Sequence, residues 1–138
     1  MPRQIKQQVT FDATPRELYE YWMSSRRHAA FTGARASVSR KVGGKFTCHD
    51  GYITGFNLFL KAGQRIVQAW RGSDWDPGDY SVIDIHFHPT GRARTLLTFV
   101  QHGVPDGHAA GIRQGWIDYY WTPLEAILRE KRPVARKR

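Results

Sequence analysis

Three residues with metal-binding side chains alternate along one segment that is predicted to be extended. Asp84, His86 and His88 are two positions apart, so they share one face of a strand. The intervening residues are apolar and are expected to face the core, which leaves this face in solvent. Carboxylate and imidazole groups at this spacing are compatible with metal binding, but the sequence offers no evident further ligand. We therefore predict no metal site and no cofactor.

Acidic residues also cluster in the polar stretch that follows Arg71. Asp74, Asp76 and Asp79 lie in a loop rich in glycine and proline. Their spacing departs from that of an EF-hand, and the loop lacks the terminal glutamate that completes such a site. A solvated turn is the prediction for this loop.

Residues for covalent catalysis are harder to find. The sequence contains no Gly-x-Ser-x-Gly motif, and Cys48 is its only cysteine. A free cysteine in a chain of this kind is typically a small buried residue, and it rules out an intrachain disulfide and a cysteine-based zinc cluster. No catalytic residue is identified.

Aromatic and apolar residues offer a different chemistry, the binding of a small hydrophobic molecule. Pockets for such ligands are mostly apolar and contain a few polar groups that orient the ligand. Gln68 and Gln101 occupy strand positions that could supply inward-facing amides. The same residues could equally form a tightly filled core. The candidate ligand-binding residues are Phe46, Ile66, Gln68, Trp70, Ile85, Phe99, Gln101, Trp116 and Tyr120.

Two regions could form the mouth of such a pocket. His102 and His108 precede a long predicted helix, and each is interpreted either as a hydrogen-bonded loop residue or as part of the mouth. Trp75 has no obvious partner in its polar loop. It is expected either to fold back onto the mouth or to contact another molecule.

These groups must be positioned by one long helix and a sheet. Residues 107–131 carry apolar and aromatic side chains three or four apart, among them Trp116, Tyr120 and Leu124, which indicates one broad helical face. Among the elements that precede this helix, only strands are long enough to cover that face, so a sheet is predicted to cover it. Pro123 lacks an amide donor and is expected to bend the helix along the sheet.

Turn and capping signals divide the rest of the chain. Thr14, Pro15 and Glu17 form a capping box with proline at the first helical position, which predicts a short helix after an opening strand. A second short helix is predicted at residues 26–31, before Gly33. Short turns between the strands favour an antiparallel meander. Strands are predicted at residues 4–11, 34–40, 45–49, 52–60, 65–71, 80–88 and 94–102.

Length and charge restrict the classes of function. The 138 residues suit one domain, predicted at residues 1–130, with a core of useful size. The net charge is +9, but the last eight residues hold five basic and no acidic residues, so the remainder carries +4. Residues 131–138 are therefore predicted to be a disordered basic tail, and no specific nucleic-acid binding is expected. The sequence contains no apolar run long enough to span a membrane and no signal-peptide pattern, so a cytoplasmic protein is expected.

Several motifs, in their order along the chain, carry a resemblance to a known family. From about residue 5 to residue 128 the sequence resembles the C-terminal domain of the activator of heat-shock protein 90 ATPase, a member of the START-like superfamily that includes the birch-pollen allergen. The motifs are Phe31-Thr32-Gly33, Gly43-Gly44-Lys45-Phe46, Ile53-Thr54-Gly55, the segment from Arg65 to Arg71, and Arg113-Gln114-Gly115-Trp116 followed by Tyr119-Tyr120.

The resemblance implies an α+β helix-grip fold, in which a curved antiparallel sheet of six or seven strands wraps a long C-terminal helix and two short helices follow strand one. It leaves function open, since the superfamily includes carriers, cyclases and co-chaperones. The leading hypothesis is a non-enzymatic domain that binds a small apolar ligand between sheet and helix. The alternatives are an interaction module for heat-shock protein 90, and a cyclase or hydrolase that uses pocket Tyr, His or Asp. The eukaryotic activator's N-terminal domain has no counterpart in this sequence, so little ATPase stimulation is expected. Ligand identity and oligomeric state stay open.

Overall fold

Seven antiparallel strands form one curved sheet in the computed structural model, which describes residues 3–131. The strand order across the sheet is β1-β7-β6-β5-β4-β3-β2. Adjacent strands are therefore consecutive in sequence, except that β1 pairs with β7. The strands are β1 (Arg3–Phe11), β2 (Ser37–Val38), β3 (Lys45–Cys48), β4 (Ile53–Lys61), β5 (Arg65–Gly72), β6 (Ser81–Gly91) and β7 (Arg94–Val104). The predicted antiparallel meander is confirmed.

Two short helices, α1 (Pro15–Met23) and α2 (Ser25–Thr32), follow the first strand as predicted. Thr14 caps α1, since its hydroxyl accepts a hydrogen bond from the Glu17 amide at 3.1 Å. Ser24 ends α1 and caps α2 through the Arg27 amide. Gly33, with φ of 76°, ends α2 in the left-handed conformation that glycine adopts without strain.

The C-terminal helical segment runs from residue 106 to residue 130 and contains one irregularity. Helix α3 (Ala109–Trp116) and helix α4 (Thr122–Glu130) are joined by a π-helical turn at Ile117–Trp121. Hydrogen bonds in a π-helix join residues five apart, which widens the turn. The rings of Trp116 and Trp121 stack with centroids 6.0 Å apart, and Trp121 is buried beside Tyr120. The wider turn also suits Pro123, whose ring would clash with the carbonyl of Tyr119 in a regular α-helix.

The core lies between the helices and the inner face of the sheet. Alternating residues of the central strands, such as Ile83 and Ile85 in β6, are completely buried. The opposite face of β6 carries Asp84, His86 and His88, which are partly or fully exposed, as their alternation predicted. Trp116 is 2% exposed, so the predicted burial of this residue is confirmed.

The predicted strand at residues 34–40 is wrong in length, because only Ser37 and Val38 pair with β3. Just beyond them, the Asn57 side chain donates hydrogen bonds to the carbonyls of Ser39 and Lys41, at 2.8 and 2.9 Å. A buried side chain thus satisfies backbone groups that a longer strand would have paired. The local pattern could not reveal this, since Asn57 lies about sixteen to eighteen residues away.

The structure describes almost none of the predicted basic tail. The basic tail is predicted at residues 131–138, and all of it except Lys131 lies outside the described residues. Among the helices that are described, none combines the length and apolar character that a bilayer crossing requires. The helix-grip architecture itself is confirmed.

Candidate functional site

An open cavity of about 480 Å³ lies between the C-terminal helix and one end of the sheet. Its volume falls within the range of roughly 300–1,000 Å³ that small-molecule sites occupy. Residues from α3 and the π-turn face residues from β4, β5 and the tight turn at His49–Gly51. The lining residues are His49, Tyr52, Ile53, Trp70, Gly107, His108, Gly111, Ile112, Gly115, Trp116, Tyr119 and Tyr120.

Glycines on one face of the helix leave the cavity open. Gly107, Gly111 and Gly115 are four residues apart and all line it. A Cβ atom at Gly107 or Gly111 would meet no atom within 4 Å, and at Gly115 the nearest would be Tyr119 Cδ2 at 3.8 Å. Glycine within a helix costs about 1 kcal/mol relative to alanine. The helix therefore gives up stability at Gly111 and Gly115, on the face where larger side chains would fill this space.

Aromatic rings form the floor of the cavity. Trp116 stands at their centre, with ring centroids 4.5 Å from Phe99, 4.7 Å from Tyr120 and 5.4 Å from Trp70. Its indole N–H donates to Gln101 Oε1 at 2.8 Å, which fixes the ring in place. A floor held by both packing and a hydrogen bond is rigid, so a ligand would meet a preformed surface.

A buried polar network lies beneath this floor and links α2, the His49 turn and the π-turn. His28 is 1% exposed, and its Nδ1 is 2.9 Å from the carbonyl oxygen of Trp22. Its Nε2 is 2.8 Å from the hydroxyl of Tyr120, which is also 3.2 Å from Nε2 of His49. Cys48 Sγ completes the cluster at 3.5 Å from His28 Nε2.

The carbonyl of Trp22 determines which atoms in this network carry protons. A carbonyl can only accept, so Nδ1 of His28 must donate to it. Among the described residues no carboxylate contacts this buried ring, so the neutral form is favoured and Nε2 accepts the hydroxyl proton of Tyr120. The Tyr120 oxygen is then free to accept from His49, which must donate through Nε2. The bonds run in one direction, from His49 through Tyr120 and His28 to Trp22.

Burial keeps every titratable member of the network uncharged near neutral pH. Desolvation lowers the pKa of His28 to about 4, and the hydrogen bond to the Trp22 carbonyl only partly offsets this. Desolvation likewise lowers the pKa of His49, raises that of Cys48 to about 12, and raises that of Tyr120 well above its usual value. Cys48 is thus a protonated thiol and Tyr120 a neutral hydroxyl, and neither is an activated nucleophile.

His49 sits in a strained turn at the edge of the cavity. His49 and Asp50 have φ of 53° and 58°, a left-handed conformation that is uncommon for residues other than glycine. Asp50 Oδ1 accepts hydrogen bonds from the amide and Nε of Arg35, at 2.9 and 3.2 Å, and these bonds lower the pKa of Asp50. Strain of this kind persists where surrounding contacts hold it, and it is frequent at ligand sites.

The predicted ligand-binding residues separate into two groups. Trp70, Trp116 and Tyr120 line the cavity. Gln68 and Gln101 do point inward, but their amides are bonded to protein groups, among them the indole N–H groups of Trp22 and Trp116. The remaining predicted residues, Phe46, Ile66, Ile85 and Phe99, are buried core residues that do not line the cavity. That any of these nine residues binds a ligand stays a prediction.

The predicted mouth residues also separate. His108 lines the cavity, whereas His102 is exposed on β7. Trp75 folds back onto the domain, which is one of the two alternatives predicted for it. The centroid of its ring lies 5.7 Å from that of Trp70 and 5.8 Å from that of His108. Its buried Nε1 has no hydrogen-bond partner among the described residues.

Sequence reasoning missed His28, His49 and the glycine stripe. The four-residue spacing of Gly107, Gly111 and Gly115 was readable and would have suggested an open helix face. His28 carried no such signal, because its partner Tyr120 lies 92 residues away. Only the fold brings these two residues together.

Two of the acidic candidates are engaged in other bonds. Asp84 binds Arg65 through both oxygens, at 3.0 and 2.8 Å, and Asp74 accepts the hydroxyl of Tyr52 at 2.7 Å. Within residues 3–131, no group of three or more His, Cys, Asp or Glu side chains is arranged to hold a metal ion.

Comparisons with known proteins agree with the fold. Residues 12–129 match the family described as Activator of Hsp90 ATPase homolog 1-like protein. The chain is 31% identical to an activator of 90 kDa heat shock protein ATPase homolog from Dictyostelium discoideum, over 81% of this chain and 29% of that protein. It is 32% identical to the human activator homolog 1, over 84% of this chain and 34% of that protein. The chain thus spans about a third of the length of these curated relatives.

Solved structures show the same architecture. An HSP90 activator from Plasmodium falciparum superposes with a TM-score of 0.87 at 24% identity, covering 91% of this chain and 95% of that one. CalU16 from Micromonospora echinospora superposes with a TM-score of 0.73 at 17% identity, covering 94% and 80%. Identities this low establish the shared fold alone.

Proposed function

The chain belongs to the family of Activator of Hsp90 ATPase homolog 1-like proteins, and from this premise we propose that it binds a small, mainly apolar molecule in the cavity between helix and sheet. The observation that carries the proposal is the open space of about 480 Å³ above a rigid aromatic floor. Such a space leaves apolar ring surface in contact with water, and exposed apolar concavities of this size commonly mark ligand-binding sites. The glycine stripe leaves it open at a cost to the helix.

The walls of the cavity suit a flat apolar ligand. Trp70 and Trp116 offer ring faces, and Ile53 and Ile112 add aliphatic surface. Tyr119, which is 58% exposed, flanks the entrance. Aromatic walls favour ring-containing ligands through stacking and edge contacts, each worth about 0.5–1.5 kcal/mol beyond burial. Binding needs no residue with nucleophilic or acid–base reactivity, so a non-enzymatic role is proposed.

A pair of glycine variants tests this proposal. Gly111→Leu would place a side chain in the cavity, whereas Gly91→Leu would place one in open space at the distant turn between β6 and β7. Apolar ring compounds such as naphthalene derivatives should raise the melting temperature of the wild type and of Gly91→Leu by mass action. Gly111→Leu should show no such shift.

Native mass spectrometry of freshly purified protein would add the mass of any retained ligand. Equal thermal shifts for Gly111→Leu and the wild type, or no shift for the wild type across a panel of lipids and ring compounds, would contradict ligand binding in this cavity.

A second candidate function is docking on heat-shock protein 90, and family membership is the observation that favours it. The relatives named as activators are about three times as long as the matched region. We propose that these 138 residues by themselves bind the chaperone weakly and stimulate its ATPase little. Contact through basic surface residues would weaken with salt, since exposed charges are screened over about 8–10 Å at physiological ionic strength.

The ATPase rate of heat-shock protein 90 with added protein, at low and moderate salt, would test this second candidate. Strong stimulation that survives moderate salt would make docking the primary function. An effect lost on deletion of residues 131–138 would assign it to the basic tail rather than to the folded body.

A further inference from the structure

The polar network beneath the cavity leaves one hydrogen-bonding atom of His49 without a protein partner. His49 lines the cavity, and its Nε2 is engaged with Tyr120 at 3.2 Å. Among residues 3–131, Nδ1 of His49 has no hydrogen-bond partner. The direction of the network decides the chemistry of this atom: because Nε2 carries the proton of the neutral ring, Nδ1 has only a lone pair and can only accept.

The direction of these hydrogen bonds is determined at the Trp22 end of the network and not by His49 itself. Trp22 presents a carbonyl to His28, and that single acceptor fixes the proton on each later atom. Reversing the chain would place two acceptors or two protons face to face at one of its links. The ring of His28, which is 1% exposed, would have to be charged to avoid this, at a large desolvation cost. The acceptor character of Nδ1 is therefore a property of the fold.

The surroundings of His49 also restrict the charge of a ligand. The other walls are largely aromatic and aliphatic, so they offer little compensation for the lost hydration of an ion. The lone pair of Nδ1 would itself repel an anion. The phenol of Tyr52 donates to Asp74 and is not available to hold one.

We propose that the cavity selects an uncharged ring compound that carries a hydroxyl or N–H group, and that Nδ1 of His49 accepts the hydrogen bond from that group. This proposal rests on the proposed function, because it specifies the ligand of the same cavity. Tyr120 acts as a positioning residue, since it holds the imidazole of His49 through Nε2 and thereby leaves Nδ1 as the acceptor.

Three matched probes test the proposal by isothermal titration calorimetry at neutral pH. 2-Naphthol has the donor group, 2-methoxynaphthalene keeps the ring and the oxygen without the donor, and 2-naphthoate is an anion. One hydrogen bond contributes roughly 0.5–1.5 kcal/mol, so 2-naphthol should bind the wild type about two- to tenfold tighter than the methyl ether. The anion should bind more weakly than either.

Variants of His49 assign the preference to that residue. His49→Phe keeps a ring without an acceptor, and the two neutral probes should then bind with equal affinity. His49→Asn is a second variant, since asparagine tolerates the left-handed backbone at this position, and its short side chain should also abolish the preference. His102→Phe, which replaces an exposed histidine, should retain it.

The outcomes separate this inference from the proposed function. Equal binding of 2-naphthol and its ether to the wild type, or an unchanged preference in both His49 variants, would overturn the role of His49 while the cavity remains a binding site. Tighter binding of 2-naphthoate would overturn the choice of an uncharged ligand. Failure of all three probes to bind the wild type, or undiminished binding to Gly111→Leu, would remove the proposed function and this inference together.

Discussion

Acidification should destabilise this protein through one buried histidine, well before its carboxylates protonate. The pKa of His28 is lowered from 6.5 to about 4 because the ring is buried, with its Nε2 accepting a hydrogen bond from Tyr120. The unfolded chain therefore binds a proton between these two values while the folded chain does not. The stability that neutral His28 contributes is fully present above about pH 6.5 and is lost as the pH falls towards 4.

The magnitude follows from the separation of the two pKa values. The full difference between 6.5 and about 4 corresponds to roughly 3 kcal/mol. Between about pH 7.5 and pH 5 the linkage relation gives a loss of about 2 kcal/mol from His28. Carboxylates with lowered pKa values, such as Asp84, contribute only as the pH falls below about 3.8, so the two effects occupy separate windows. The pKa of His49 is also lowered, so His49 adds a loss of the same sign.

Urea unfolding of the wild type and of His28→Gln at pH 7.5 and pH 5 isolates the contribution of His28. Glutamine does not titrate, and every other group is common to both proteins. At pH 7.5 the variant should be less stable by about 1–3 kcal/mol, because the carbonyl of Trp22 loses its buried donor. At pH 5 the difference between the two proteins should shrink by about 2 kcal/mol.

A variant at an exposed position provides the control for this experiment. His102→Gln makes the same substitution outside the buried network, and it shows what a histidine-to-glutamine change does to stability in the absence of burial. If the difference between the wild type and His28→Gln is the same at both pH values, His28 is not held neutral by burial. The directional network built on it would then be refuted.

Three further substitutions test the packing that supports the cavity. Gly55→Ala should destabilise by about 3 kcal/mol or more in urea unfolding, because its Cβ would lie 1.9 Å from the carbonyl oxygen of Ala69; a loss below 1 kcal/mol would contradict the tight contact. Gln101→Leu should cost about 1–3 kcal/mol and shift the fluorescence of Trp116, whose buried N–H would lose its acceptor; an unchanged spectrum would argue against that bond. Thr14→Ala should lower the free energy of unfolding by about 1 kcal/mol through loss of the cap on α1, with little effect on ligand binding.

The amino-acid sequence by itself determined the order and type of the elements. Alternation placed Ile83 and Ile85 on the core face of a strand and Asp84 on the other, and the burial in the structure confirms it. Thr14, followed by Pro15 and Glu17, marked the start of the first helix through its capping pattern. Periodicity and capping depend on neighbours within a few residues, so they can be read without knowing the fold.

Tertiary structure decided which of these buried positions border a cavity. Trp116 and Phe99 are both buried aromatic residues, yet only Trp116 lines the open space. A pattern of burial shows which face of an element is covered, but it does not show how completely two covered faces fill the volume between them.

The network of His28, Tyr120 and His49 likewise depends on tertiary structure alone. These residues come from a short helix, a π-turn and a strained turn that are far apart in sequence, and 92 residues separate His28 from Tyr120. Hydrogen-bond direction requires atomic distances and burial, which local sequence does not encode. The sequence thus determined that an aromatic helix would meet a sheet, and the fold decided that their meeting leaves a cavity with one open acceptor.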